Sequence, residues 1–180
     1  ESFSGEVQDI AGEKILVCSL THENCNVLRE VFPFTAPISV LKYPKSIGLG
    51  DRLGLASPGH IRLVKDYDMK PILAQQSIRE LNLTGRNYTE VLDDASWAVF
   101  QEGYKGGFGA DGDHLKTADE VKGALACGYT MITLDCSEHI DNNVDKMSND
   151  EVDKAYENFR LESVEERYLG KEYQLGNGIT

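Results

Sequence analysis

A chain of 180 residues with 41% hydrophobic and 27% charged residues has the length and balance of one folded domain, which excludes a disordered or fibrous segment. A formal charge of -12 excludes the clustered Lys and Arg that a phosphate backbone demands, so nucleic acid is not an expected partner. No apolar run approaches the roughly 20 residues of a bilayer span, and Cys18, Cys25, Cys127 and Cys136 form no C-x-x-C pair, so a soluble cytoplasmic protein with reduced thiols and no membrane partner is expected.

In chain order, Glu13 to Leu20 (EKILVCSL) is a short apolar run of the kind found in a strand buried on both faces. A helix is expected from Thr21, with Val27, Leu28 and Val31 inward. Pro33, Pro37 and Pro44 leave room for a short strand only at Ile38 to Leu41, and Gly48, Gly50 and Gly54 mark a loop. Ser57-Pro58 predicts a helix start, with the serine as cap and proline at the first helical position, and that helix should reach about Tyr67. Pro71 to Gln75 (PILAQ) reads as the next strand.

Ser77 with Glu80, then Asn87 with Glu90, have the spacing of capping boxes. After the second, Val91, Leu92, Ala95, Ala98 and Val99 recur at helical spacing until Gly103. Gly106 to Asp111 (GGFGAD) sits where a strand is due. Thr117 with Glu120 opens another helix, with Val121, Ala124 and Leu125 inward and Gly128 at its end. Thr130 to Asp135 (TMITLD) is the clearest strand, and Ser148 with Glu151 begins a last helix carrying Val152, Ala155, Tyr156 and Phe159. From Glu138 to Thr180 eleven acidic residues face five basic ones, which reads as a solvated helical face.

Alternating short strands and capped helices predict an α/β fold with parallel strands. A (β/α) barrel is the first choice and a doubly wound open sheet its rival. The expected organisation is a single α/β domain over 1–180, or the N-terminal portion of a longer barrel, with 138–180 an acidic helical segment within it. The chain begins at Glu1 rather than Met and stops after a glycine-punctuated stretch, which reads as a trimmed chain.

In either fold the binding site lies beyond the carboxyl ends of the strands. Asp111-Gly112-Asp113-His114-Leu115-Lys116 places two carboxylates, an imidazole and an ammonium within six residues at such an end. Carboxylate oxygen and imidazole nitrogen are ordinary ligands for a divalent metal cation. The same residues also divide labour in acid–base chemistry, with an Asp as base and the Lys or a metal stabilising an oxyanion. A polar turn in which His114 merely packs is the bland alternative. Asp135 ends the next strand, and Gly48 to Gly54 with Arg52 is a weaker candidate anion grip, for which a tight turn is the simpler explanation.

The stretches Ser46 to Gly54 (SIGLGDRLG), Gly107 to Lys116 (GFGADGDHLK) and Thr133 to Asp141 (TLDCSEHID) resemble the tagaturonate epimerase family, over about Ser46 to Gly170. The resemblance implies a metal-dependent epimerase that interconverts tagaturonate and fructuronate in hexuronate breakdown, with Asp113 as proton acceptor and His114 as one metal ligand. It also implies that the other ligands and the proton donor lie beyond Thr180, so that these residues alone are an incomplete, inactive barrel. Arg52, Lys116 and Asp135 are the expected substrate contacts, the substrate being a small sugar acid, and a homo-oligomer stays open. Another metal-dependent sugar or sugar-acid aldolase or isomerase, or a non-catalytic sugar-acid-binding module, remains the alternative.

Overall fold

The computed structural model describes residues 2–172 and 174, with only the backbone of Phe159. It divides into two compact units, Glu1–Cys136 and Ser137–Thr180. The first opens with an antiparallel hairpin of β1 (Glu6–Ile10) and β2 (Glu13–Val17). Every residue of both strands is exposed. The expected doubly buried strand at Glu13 is therefore corrected to an exposed hairpin strand. A short apolar run carries no information on whether a second layer covers it.

Helix α1 (His22–Val31) follows, capped by the Thr21 side chain on the Asn24 N–H. Val27 and Leu28 are buried as expected, but Val31 is exposed. Ile38 to Leu41 is not a strand. Its one sheet-like contact is the Ile38 N–H bond to the Phe108 carbonyl.

Four parallel strands form the centre of this unit in the order β3 (Ser46–Gly50), β4 (Lys70–Gln75), β5 (Gly109–Leu115), β6 (Met131–Leu134). Helices α2 (Ser57–Val64), α3 (Ile78–Thr84), α4 (Tyr88–Gln101) and α5 (Ala118–Cys127) make the connections. The strand order follows the chain with no reversal. A doubly wound sheet reverses at its switch point, so the consecutive order is consistent with part of a barrel. α2 packs on α4 and α4 on α5, which lays the helices side by side over the sheet.

The Gly48–Gly50 stretch expected as a loop is the edge strand β3. A Cβ on Gly48 would lie 2.8 Å from the Gln75 Oε1, so the glycine leaves room for the Gln75 amide. The start of α2 also differs from expectation. Ser57 is the first helical residue rather than the cap, and the Asp51 carboxylate accepts from the Leu55, Ala56 and Ser57 N–H groups at 2.7–3.2 Å. A buried carboxylate reaching back from the end of β3 serves the orphan donors that a local serine was expected to serve. α2 ends at Val64, short of Tyr67.

The capping boxes at Ser77/Glu80, Asn87/Glu90 and Thr117/Glu120 are all formed. The core joins one sheet face to α2, α4 and α5 through Ile61, Leu73, Leu92, Val99, Phe108, Ala110, Leu115 and Ala124. Each fully buried Leu or Phe among them contributes about 1.5–3 kcal/mol. Leu125, expected inward, is exposed.

The second unit holds α6 (Asn149–Phe159), with the expected Ser148/Glu151 capping box, and a further helix α7 (Glu162–Tyr168) that periodicity did not reveal. Val152 and Tyr156 are exposed, in keeping with a solvated helical face. The Phe159 side chain lies outside the described residues. Tyr156 Oη and Arg160 Nε both donate to Glu165, tying α6 to α7.

Candidate active site

Strand β5 begins at Gly109 and runs to Leu115, later than the expected Gly106 to Asp111. Asp113 and His114 therefore sit inside the strand rather than after it. They also sit on a bulge. Asp111 pairs with Met131 and Gly112 with Ile132, but the next pairing is Leu115 with Leu134, so β5 carries one residue more than its partner. His114 takes up the excess in the left-handed region, with φ 56°, a conformation uncommon for any residue but glycine.

The bulge decides which side chains face which way. A Cβ on Gly112 would meet Leu115 Cδ1 at 3.1 Å and Ala124 Cβ at 3.2 Å, so positions 112 and 115 lie on the same, helix-covered side. Simple alternation would put them on opposite sides. Leu115 is thereby anchored in the core at 1% exposure, while the His114 side chain is released to 59%. Its Nδ1 lies 2.8 Å from Asp113 Oδ1. A carboxylate on one ring nitrogen sets the tautomer and leaves Nε2 for other bonds.

Beneath this pair runs a polar layer. Gln75 Nε2 on β4 and Thr133 Oγ1 on β6 both donate to Asp111 Oδ2, at 2.8 and 2.7 Å. Asp111 is fully buried, and its Oδ1 has no hydrogen-bond partner among the described residues. The layer ties β4, β5 and β6 together just below their carboxyl ends. Sequence reading placed Asp111 in the motif but had no means to see Gln75 and Thr133 meeting it.

All five expected site residues line one cleft of about 490 Å³: Arg52, Asp113, His114, Lys116 and Asp135. They come from the ends of β3, β5 and β6, and the start of α3 after β4 adds Ser77, Arg79 and Glu80; Ser77 and Glu80 were expected as a capping box, and Arg79 had no expected role. Lys116 Nζ stands 3.8 Å from Asp135 Oδ2, and the Lys116 and Thr117 N–H groups donate to Glu120 at 2.7 and 2.9 Å. Those backbone donors, the Lys116 N–H first, lower the Glu120 pKa.

Arg52 Nη1 and Arg79 Nη2 both donate to Glu80 Oε1, at 2.5 and 2.9 Å. The other oxygen of Glu80 accepts from the Ser77 N–H and hydroxyl. The Ser77 hydroxyl above all, helped by Arg79, the Ser77 N–H and Arg52 against the cost of desolvation, holds the Glu80 pKa down to about 2.

The sequence profile of the tagaturonate epimerase family matches residues 1–179. This chain belongs to the tagaturonate epimerase family. Over 169 residues it is 44% identical to the tagaturonate/fructuronate epimerase of Thermotoga maritima, an alignment that covers 93% of this chain and 35% of that protein. Crystal structures of the fructuronate-tagaturonate epimerase UxaE from Cohnella laeviribosi superpose with a TM-score of 0.81 and 51% identity. This holds for both the native form and one complexed with glycerol, covering 97% of this chain and 35–36% of theirs. The chain thus spans about a third of the length of these family members. The family's fold and the four-stranded parallel sheet agree with the incomplete-barrel reading.

As for the implied metal, His114 fits as one ligand through Nε2. Among the described residues no three His, Cys, Asp or Glu side chains converge to hold an ion. The fit extends to a single ligand, not a site. Among the described residues no helix is long and apolar enough to cross a membrane.

Proposed function

We propose that the full-length protein interconverts tagaturonate and fructuronate in hexuronate catabolism, as a cytoplasmic enzyme whose partner is a small sugar acid. The observation that carries this reading is the convergence of Arg52, Asp113, His114, Lys116 and Asp135 on one cleft at the carboxyl ends of the strands, in a chain of this family. Strand ends are where parallel α/β enzymes keep their chemistry.

The reaction has a constraint of its own. The carbon that inverts is β to the ketone, so the carbonyl does not acidify its hydrogen and simple proton exchange there is not available. A retro-aldol route avoids the difficulty. Asp113, with one oxygen on His114, takes the proton of the β-hydroxyl through the other. The C–O bond becomes an aldehyde as the adjacent carbon–carbon bond breaks, and its electron pair moves onto the former ketone as an enediolate. The aldehyde fragment rotates, the same bond re-forms on its opposite face, and Asp113 returns the proton. His114 Nε2 would serve as one ligand of a divalent cation, which when bound would supply Lewis-acid charge for an enediolate.

Turnover in heavy water tests the route. Fructuronate should form from tagaturonate with no solvent deuterium at the inverted carbon. Deuterium at that carbon would remove the retro-aldol route, and no fructuronate at all would remove the assigned activity.

A further inference from the structure

The polar groups of the cleft are sorted by charge. On the β4 side, Arg52 and Arg79 share the single carboxylate of Glu80, which leaves one positive charge in excess there. On the β5 and β6 side, Lys116 stands among Asp113, Glu120 and Asp135, and that side is negative. In a protein of formal charge -12 a local cationic excess is the exception.

Glu80 is built to keep it in place. Its side chain is only 9% exposed, whereas those of Arg52 and Arg79 are 71% and 73% exposed. One oxygen is fixed on Ser77 as the cap of α3, and helix capping needs no more than that. The other oxygen collects one arm from each guanidinium. Each guanidinium has five donors in a planar fork. After one bond to Glu80, both retain further N–H groups in the cleft.

We propose that Arg79, paired with Arg52 on the Glu80 bracket, grips the carboxylate of the keto-uronate and so determines the preference for a sugar acid. This rests on the epimerase reading above. Two forks on one side and the Asp113–His114 pair on the other orient the substrate with its acid end away from the breaking bond. Lys116 is the poorer grip, because the carboxylates of Asp135, Glu120 and Asp113 already offset its charge. Planar bidentate recognition of carboxylate is what arginine supplies and lysine does not.

The test uses the full-length protein with Arg79→Ala, Arg79→Lys and, as a surface control outside the cleft, Arg62→Ala. In Arg79→Ala the KM for tagaturonate should rise by about tenfold or more with kcat within about threefold, the signature of lost ground-state binding. Arg79→Lys should recover only part of that rise, and free guanidinium ion should restore much of it in Arg79→Ala. An unchanged KM, or an equal loss confined to kcat, overturns the proposal. Calorimetric titration with tagaturonate, carried out in an Asp113→Asn background, reads the grip without turnover. A fall in affinity of about tenfold in Arg79→Ala supports it, and equal affinity, or no binding with Arg79 intact, overturns it. Binding there without conversion to fructuronate by the wild type sinks the epimerase reading and leaves the grip standing.

Discussion

Strands β4 and β5 lie side by side, and each carries a bulge near its carboxyl end with a non-glycine residue in the left-handed region. On β4 the register jumps from Gly48–Ile72 to Gly50–Gln75, and Ala74 has φ 58°. On β5 the jump spans Asp113 and His114, and His114 has φ 56°. The backbone device is the same and the use differs. At Ala74 the strained residue is a buried methyl, and the bulge re-aims the next residue, Gln75, at Asp111. At His114 the strained residue is itself exposed, hydrogen-bonded to Asp113, and set into the cleft. One bulge builds the support, the other presents the chemistry.

Breaking the second bulge's chemistry should have the largest effect. Asp113→Asn replaces the proposed base while an amide oxygen still accepts from His114 Nδ1, so turnover of the full-length protein should fall about 10²–10⁴-fold with metal content and melting temperature unchanged. Activity close to wild type would remove Asp113 from the mechanism. Breaking the first bulge should show in stability. Ala74→Val puts a β-branched side chain at a positive φ in a buried position, at a cost of about 1–3 kcal/mol in urea unfolding. A neutral result would mean that the left-handed geometry of β4 relaxes freely. The smallest effect on stability sharpens the contrast. His114→Gly relieves the strained φ and should stabilise the fold by up to about 1 kcal/mol while losing metal affinity and activity. Ala74→Gly relieves the same strain but gives up a buried methyl worth about 0.8 kcal/mol, so its net effect on stability should be small. Destabilisation by His114→Gly would show that the imidazole supports the fold as well as the site.

The parts of the fold that were legible are those settled by neighbours in sequence. The capping boxes at Ser77, Asn87, Thr117 and Ser148 all formed, because both partners lie within one turn of helix. Val91, Leu92, Ala95, Ala98 and Val99 are buried as their spacing required. Departures arose where a partner in another element decides. Asp51, not Ser57, caps α2 from the end of another element. Gly48 is a strand residue because β4 pairs with it, Gly48 opposite Ile72. The run at Glu13 is apolar yet uncovered, and nothing in those eight letters tells one state from the other.

For the site, the chain's letters alone determined the candidates: the Asp113–His114 pair, Lys116, Arg52 and Asp135, each recognisable as a charged residue near a strand end. They also determined the family, through motifs long enough to be specific. Only the tertiary structure decided that β5 includes the pair rather than preceding it, that a bulge turns His114 out while Leu115 stays in, and that Arg79 and Glu80 join the cleft. The physical reason is that periodicity assumes an unbroken alternation. A bulge breaks it through a backbone angle that neither histidine nor alanine announces, and only the register of the neighbouring strand reveals it.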